Sequence, residues 1–158
     1  MALSRIEQFQ ELLSEYRKLR EELEANPDLR KQPKWIEKIS GVYWRMARAY
    51  RVMRMYEEQQ NSLKLPVTVH VIRIDEMAIV THPLALFLDY GIQIKARSRA
   101  VQTFTVQTAD GHYRYLPTTR SMAGGENYGS IPESIVFGPE AGSQLVEETL
   151  KLLQNLWP

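Results

Sequence analysis

Apolar positions recur every three to four residues at the start of the chain, at Ile6, Phe9, Leu13, Tyr16, Leu19 and Leu23, while Glu11, Glu15, Arg17, Lys18, Glu21 and Glu22 fall largely outside that stripe. This is the period of an amphipathic helix. Ser4-Arg5-Ile6-Glu7 has the capping-box pattern, in which serine and glutamate side chains satisfy free amides at a helix start. Asn26-Pro27 ends the helix, because a residue before proline is pushed out of the helical region. The same spacing returns at Trp35, Ile36, Ile39, Tyr43, Met46, Tyr50 and Met53 and predicts a second helix from about Pro33 to roughly Gln60. Two such helices on a short link cover their stripes by packing as an antiparallel hairpin.

Between Asn61 and Pro66 the helical pattern gives way to strand-rich sequence, which reads as a joint within one unit. Pro66 to Ile74 sets Val67, Val69 and Val71 on one face and Ile72 and Ile74 on the other, so both faces are expected to be covered. Asp75-Glu76 is a tight polar link into a second strand, Met77 to Thr81, and predicts a β-hairpin. Pro83 is expected to stop that strand and open a helix to about Ser98, since its fixed φ suits a first turn that needs no N–H. Val101 to Thr108 is β-branched and closed by Asp110-Gly111. Strand, helix and strand in that order predict a βαβ unit with parallel strands, so the sheet is mixed. The segment TRSMAGGENYGSIPESIVFG then reads as a long loop, and Pro139 opens a last helix with Leu145, Val146, Leu152, Leu153 and Leu156 on its apolar face. The fold class is therefore α/β: a mixed sheet with a βαβ unit, preceded by an N-terminal antiparallel helical hairpin over 1–60 and closed by a C-terminal helix. Residues 66–158 form the α/β part of a single domain or partial domain.

Composition narrows the function classes only a little. Lys and Arg total 20 against 19 Asp and Glu, so no global field points to nucleic acid or an anionic membrane. The chain has no cysteine, which excludes disulfides, thiolate zinc sites and a cysteine nucleophile. Arg5, Glu7 and Glu11 interrupt the N-terminus before any apolar run, so no signal peptide or transmembrane segment is expected and a complete chain would be cytoplasmic. Arg45, Arg48, Arg51 and Arg54 recur along the second helix. They could offer an acidic partner a basic edge, but the near-neutral total favours a solvated face pairing with nearby glutamates.

Candidate chemistry rests on few residues. There is no HExxH, no GxSxG elbow and no Gly-rich phosphate loop, and the three histidines, His70, His82 and His112, show no metal-ligand spacing. His70 lies within a strand and reads as structural. His82 and His112 stand at the expected carboxyl ends of adjacent strands, where α/β folds place ligands in a crevice. Tyr113 and Tyr115 follow in GHYRYLPT, where a phenol could bind a substrate carbonyl or simply pack.

These residues carry a resemblance. The strand MAIVTHP, the helix LALFLDYGIQIKARS, the strand VQTFTVQTADG, the YLPT turn, the glycine-containing loop with Tyr128 and the terminal helix are similar to the last part of the catalytic domain of neutral/alkaline ceramidases. That family consists of zinc amidases that cleave the N-acyl bond of ceramide. The resemblance implies a glutamate zinc ligand at the position of Ala85 and a tyrosine ligand at the position of His112. The family's two zinc-binding histidines belong to an earlier part of the domain that this chain does not contain. Tyr115 matches the tyrosine before Leu-Pro in the family, and Tyr113 and Tyr128 stand beside it as candidate substrate-binding residues. An alanine ligates nothing and a lone imidazole does not retain zinc, so zinc is expected only if another segment completes the site, and no catalytic residue is assigned. The reading is a ceramidase-like amide hydrolase segment, incomplete on its own, whose partners would be a missing N-terminal segment or a second copy. The alternative is a non-enzymatic interaction or ligand-binding module that uses the hairpin or the tyrosine and histidine crevice.

Overall fold

A computed structural model of the chain describes residues 2–124 and 127–157, so Gly125 of the glycine-containing loop lies outside the described residues. The chain divides into two compact units, Met1–Lys64 and Leu65–Pro158. In the first, α1 (Ala2–Ala25) and α2 (Pro33–Asn61) are joined by a 3₁₀ turn over Pro27–Lys31. The ring of Phe9 meets that of Tyr50 at 5.6 Å and Tyr16 meets Tyr43 at 5.7 Å, so later residues of α1 face earlier ones of α2 and the pair is antiparallel. Leu12, Leu19 and Val42 are buried between them, packed by Tyr16, Trp35, Ile39 and Met46. Leu12 rather than Leu13 holds the seam, because Phe9, Leu12, Tyr16 and Leu19 lie closest to one line on a 3.6-residue helix. α1 begins at Ala2, ahead of the capping-box serine, whose side chain lies outside the described ones. Arg45 reaches Glu15 at 3.8 Å and Arg54 reaches Glu58 at 3.1 Å, the glutamate pairing expected of a solvated face.

The second unit is a mixed α/β layer. β1 (His70–Ile74) pairs antiparallel with β2 (Met77–Thr81), and β2 pairs in parallel with β4 (Gln102–Val106), in the order β1-β2-β4. Asp75 takes the left-handed backbone, φ 54°, that the tight hairpin turn demands. Between β2 and β4 the chain makes the short strand β3 (Ala85–Leu86) and then α3 (Leu88–Arg97). Pro83 does not open the helix. After a bend at Pro83 and Leu84 the backbone is extended at Ala85–Leu86 because it has partners across the sheet, and the helix waits until Leu88. β3 pairs in parallel with β5 (Tyr115–Leu116), and the long loop contains a short helix, α4 (Thr119–Gly124), and two 3₁₀ turns, Tyr128–Ser130 and Pro132–Ser134. α5 (Ala141–Leu156) begins two residues after Pro139.

One face of the three-stranded sheet builds the core. Ala78, Val80, Leu84 and Leu86 pack with Tyr90 and Ile94 of α3, with Leu116, and with Leu145, Val146, Leu150 and Leu153 of α5. Val67, Val69 and Val71 join this cluster, whereas Ile72 and Ile74 on the other face are exposed, so only one of the two faces expected to be covered is. The Tyr90 hydroxyl donates to the Pro117 carbonyl at 3.0 Å, and Gly142 of α5 lies directly against its ring. The last carbonyls of α5 are satisfied from across the unit. Arg73 of β1 donates to Leu156 and stacks on Trp157 at 4.4 Å, and Arg99 donates to the Trp157 carbonyl at 2.8 Å.

Candidate functional site

The region beyond the carboxyl ends of β2 and β4, where a crevice is expected, is built by backbone pairing. The N–H of His82 donates to Val106 and its carbonyl accepts from Ala109 at 3.1 Å; Pro83 accepts from Tyr113 at 2.8 Å, and Ala85 donates to Arg114 at 2.8 Å. These bonds set Ala85 in register with Tyr115 and Leu86 with Leu116. The intervening turn is tight enough to need left-handed backbone at Thr108, Asp110, Gly111 and Arg114. At Gly111, φ is 138° and an added Cβ would come within 3.1 Å of Pro83, so glycine is required both by conformation and by space.

Aromatic side chains gather beside β5. Tyr115 and Tyr128 meet edge to face at 5.9 Å and 87°, both partly open to solvent. Gly129 lets Phe87 and Tyr115 close on the loop: a Cβ there would stand 2.8 Å from Phe87 and 3.1 Å from Tyr115. The Asn127 side chain accepts from the Gly129 N–H at 3.3 Å, and Arg114 donates to the Glu133 carbonyl at 2.7 Å, which fastens the loop's second turn to the segment just before β5; Arg114 takes φ 71°, so Tyr113 lies outside the strand that holds Tyr115. The hydroxyls of Ser121 and Ser130 are in close hydrogen-bond contact. Tyr113 is also partly exposed and His112 is exposed.

Of the two histidines placed at the strand ends by sequence, only His112 is solvent-facing. His82 is fully buried, and neither ring nitrogen has a hydrogen-bond partner. Burial pushes its pKa below the ordinary value; the carbonyls of Leu84 and His82 favour the protonated ring in part but stand outside hydrogen-bonding geometry, so desolvation prevails. His82 is thus a neutral core residue and does not line the crevice. His70, in turn, reaches Asp110 at 3.2 Å and ties the end of β1 to the turn.

Comparison of the chain with protein-family models, curated proteins and solved structures returns no match.

The residues in this crevice do not fit a zinc ion. Ala85 offers no donor atom, His112 contributes one imidazole, and among the described residues no group of three or more His, Cys, Asp or Glu is placed to hold a metal. What the arrangement offers is a small aromatic cluster of Phe87, Tyr115 and Tyr128 with exposed tyrosines, side chains that can cover apolar surface and hydrogen-bond a carbonyl. Sequence reasoning missed Phe87 and Arg114. Phe87 falls within the helix expected from Pro83 to about Ser98, and nothing in the local pattern around Arg114 marks its reach to Glu133.

Proposed function

We propose that this chain is a ceramidase-like amide hydrolase segment that does not hydrolyse by itself, and that its crevice binds an amide- or acyl-bearing ligand. The observation that carries the reading is the register of Ala85 against Tyr115 at the strand ends. The position at which the resemblance implies a glutamate ligand holds a methyl group, while Tyr115 opposite it meets Tyr128, and these two and Tyr113 are exposed. Without a metal-bound water the amide carbonyl can be held, but no activated nucleophile stands against it. An apolar chain would lie along Phe87 and Tyr128, and a phenol would donate to the carbonyl oxygen.

The test combines turnover with binding. N-acylsphingosine incubated with the full chain and added zinc should give no free fatty acid, and metal analysis of the dialysed protein should find zinc far below one ion per chain. The same amide should raise the melting temperature by a few degrees, since about 1 kcal/mol of ligand linkage shifts a domain of this size by that much. Tyr115→Ala should abolish the rise. Turnover with stoichiometric zinc would overturn the inactivity, and an unchanged melting temperature would overturn the binding.

A further inference from the structure

Within Leu65–Pro158, the face of the sheet turned away from α3 and α5 is apolar and covered by no other element of that unit. Three cross-strand rows make it: His70, Thr81 and Val106; Ile72, Ile79 and Phe104; and Ile74, Met77 and Gln102. Of these, Ile72, Ile74, Met77, Phe104 and Val106 are each between 42% and 49% exposed, and Ile79 at the centre is half-buried. The larger apolar side chains point outward. The covered face uses Val71, Ala78, Val80, Thr103 and Thr105.

Such a face departs from how sheets meet water. Parallel pairs such as β2 and β4 are ordinarily covered on both sides. Solvated sheet faces alternate apolar and charged residues, yet no Lys, Arg, Asp or Glu occurs in these three rows. The exposed apolar area is on the order of 500 Å², at the upper end of what monomers show.

We infer that this face is the interface of a symmetric dimer, a second copy of the chain packing its own sheet face to face with the first. With the rim of His70, Thr81, Gln102 and the adjoining Val101, where only the Asp110 carboxylate beside His70 brings in an acidic group, the surface approaches the ~800 Å² per partner of a standard stable interface. A twisted apolar sheet is complementary to another of the same twist, and two pack as an aligned sandwich about 10 Å apart. An isologous contact requires one surface to match itself, and an uncharged face does so without opposing like charges. The net charge of +1 adds little repulsion between copies. Because β2 is the central strand, a two-fold arrangement sets β2 on its counterpart and brings Ile79 near its own equivalent. This inference is independent of the crevice and of any ligand.

The full chain, examined by light scattering and sedimentation at about 1–100 μM, should have twice the 18.4 kDa chain mass. Ile72→Lys with Phe104→Lys should convert it to a monomer with unchanged far-UV circular dichroism, whereas Trp44→Ser on α2 should leave the dimer intact. The chain has no cysteine, so Ile79→Cys gives a single thiol, and a short bismaleimide should join two copies through it but not through Trp44→Cys. A wild-type chain that stays monomeric, whether free or recovered on phosphatidylcholine vesicles, overturns the inference. So does a dimer that survives the paired lysines or dissolves on Trp44→Ser. Should the lysine variant unfold, failure of Ile79→Cys to cross-link overturns it equally.

Discussion

His82 carries two ring nitrogens into the core with no partner for either, an arrangement that costs about 1–3 kcal/mol relative to a satisfied group. Its pKa in the folded chain lies below the unfolded value of about 6.5. The unfolded chain therefore binds the proton first as pH falls, and the stability this group permits is complete above about pH 6.5 and declines below it, by at most about 1.4 kcal/mol per pH unit. Thermal melts from pH 8 to 5.5 should show that decline. His82→Leu should raise the melting temperature at pH 6 and flatten the dependence; an unchanged slope would mean that another group titrates there. Sequence could place this histidine at a strand end but not in the core, because alternation along β2 shows which face a side chain joins and not how deeply a helix from another part of the chain will bury it.

Two glycines separate helix propensity from packing at the scale of the element. Gly91 lies inside α3, and an added Cβ would stand 3.5 Å from the Thr105 hydroxyl, an ordinary contact. Gly91→Ala should thus stabilise the unit by about 0.5–1 kcal/mol, the usual gain of alanine over glycine in a helix. Gly142 has the same intrinsic preference, but its Cβ would fall on the ring of Tyr90, which is buried and anchored to the Pro117 carbonyl. Gly142→Ala should therefore destabilise by about 1–3 kcal/mol, the cost of overpacking, in chemical denaturation. A neutral or stabilising result would show that α5 can shift away from Tyr90. The same contest decides where α3 starts. Pro83 and the apolar run after it satisfy local rules for a helix, yet Ala85 and Phe87 find hydrogen-bond acceptors at Arg114 and Leu116, so the segment stays extended. Those acceptors are about thirty residues away in sequence, beyond the reach of any local pattern.

At the scale of the whole chain the two compact units rest on unequal cores. The hairpin buries Leu12, Leu19, Val42 and Ala49, whereas Leu65–Pro158 encloses a continuous cluster from β2 through α5. Two helices with so small a seam fall short of independent stability, while the α/β unit does not. Residues 65–158 expressed alone should melt cooperatively, and residues 1–64 alone should have a helical signal that rises with concentration, as circular dichroism would read. A cooperative, concentration-independent melt of 1–64 would refute this. Among the described residues no helix is long and apolar enough to cross a membrane.

Periodicity in the sequence determined the helical hairpin, the β1-β2 turn, the parallel β2-β4 pair and the terminal helix, because each depends on local repeats of 3.6 or 2 and on turn residues such as Asp75 and Gly111. It also brought His112, Tyr113 and Tyr115 to one sheet end and left Ala85 with no ligating atom, since residue chemistry is fixed before folding. Only the tertiary structure decided that His82 is buried, that Ala85 lies in register with Tyr115, that Tyr128 returns from a distant loop to meet it, and that one face of the sheet is left bare. Each of these turns on which surfaces meet across long stretches of chain, and the alternation along a strand is the same whether its second face is covered or open.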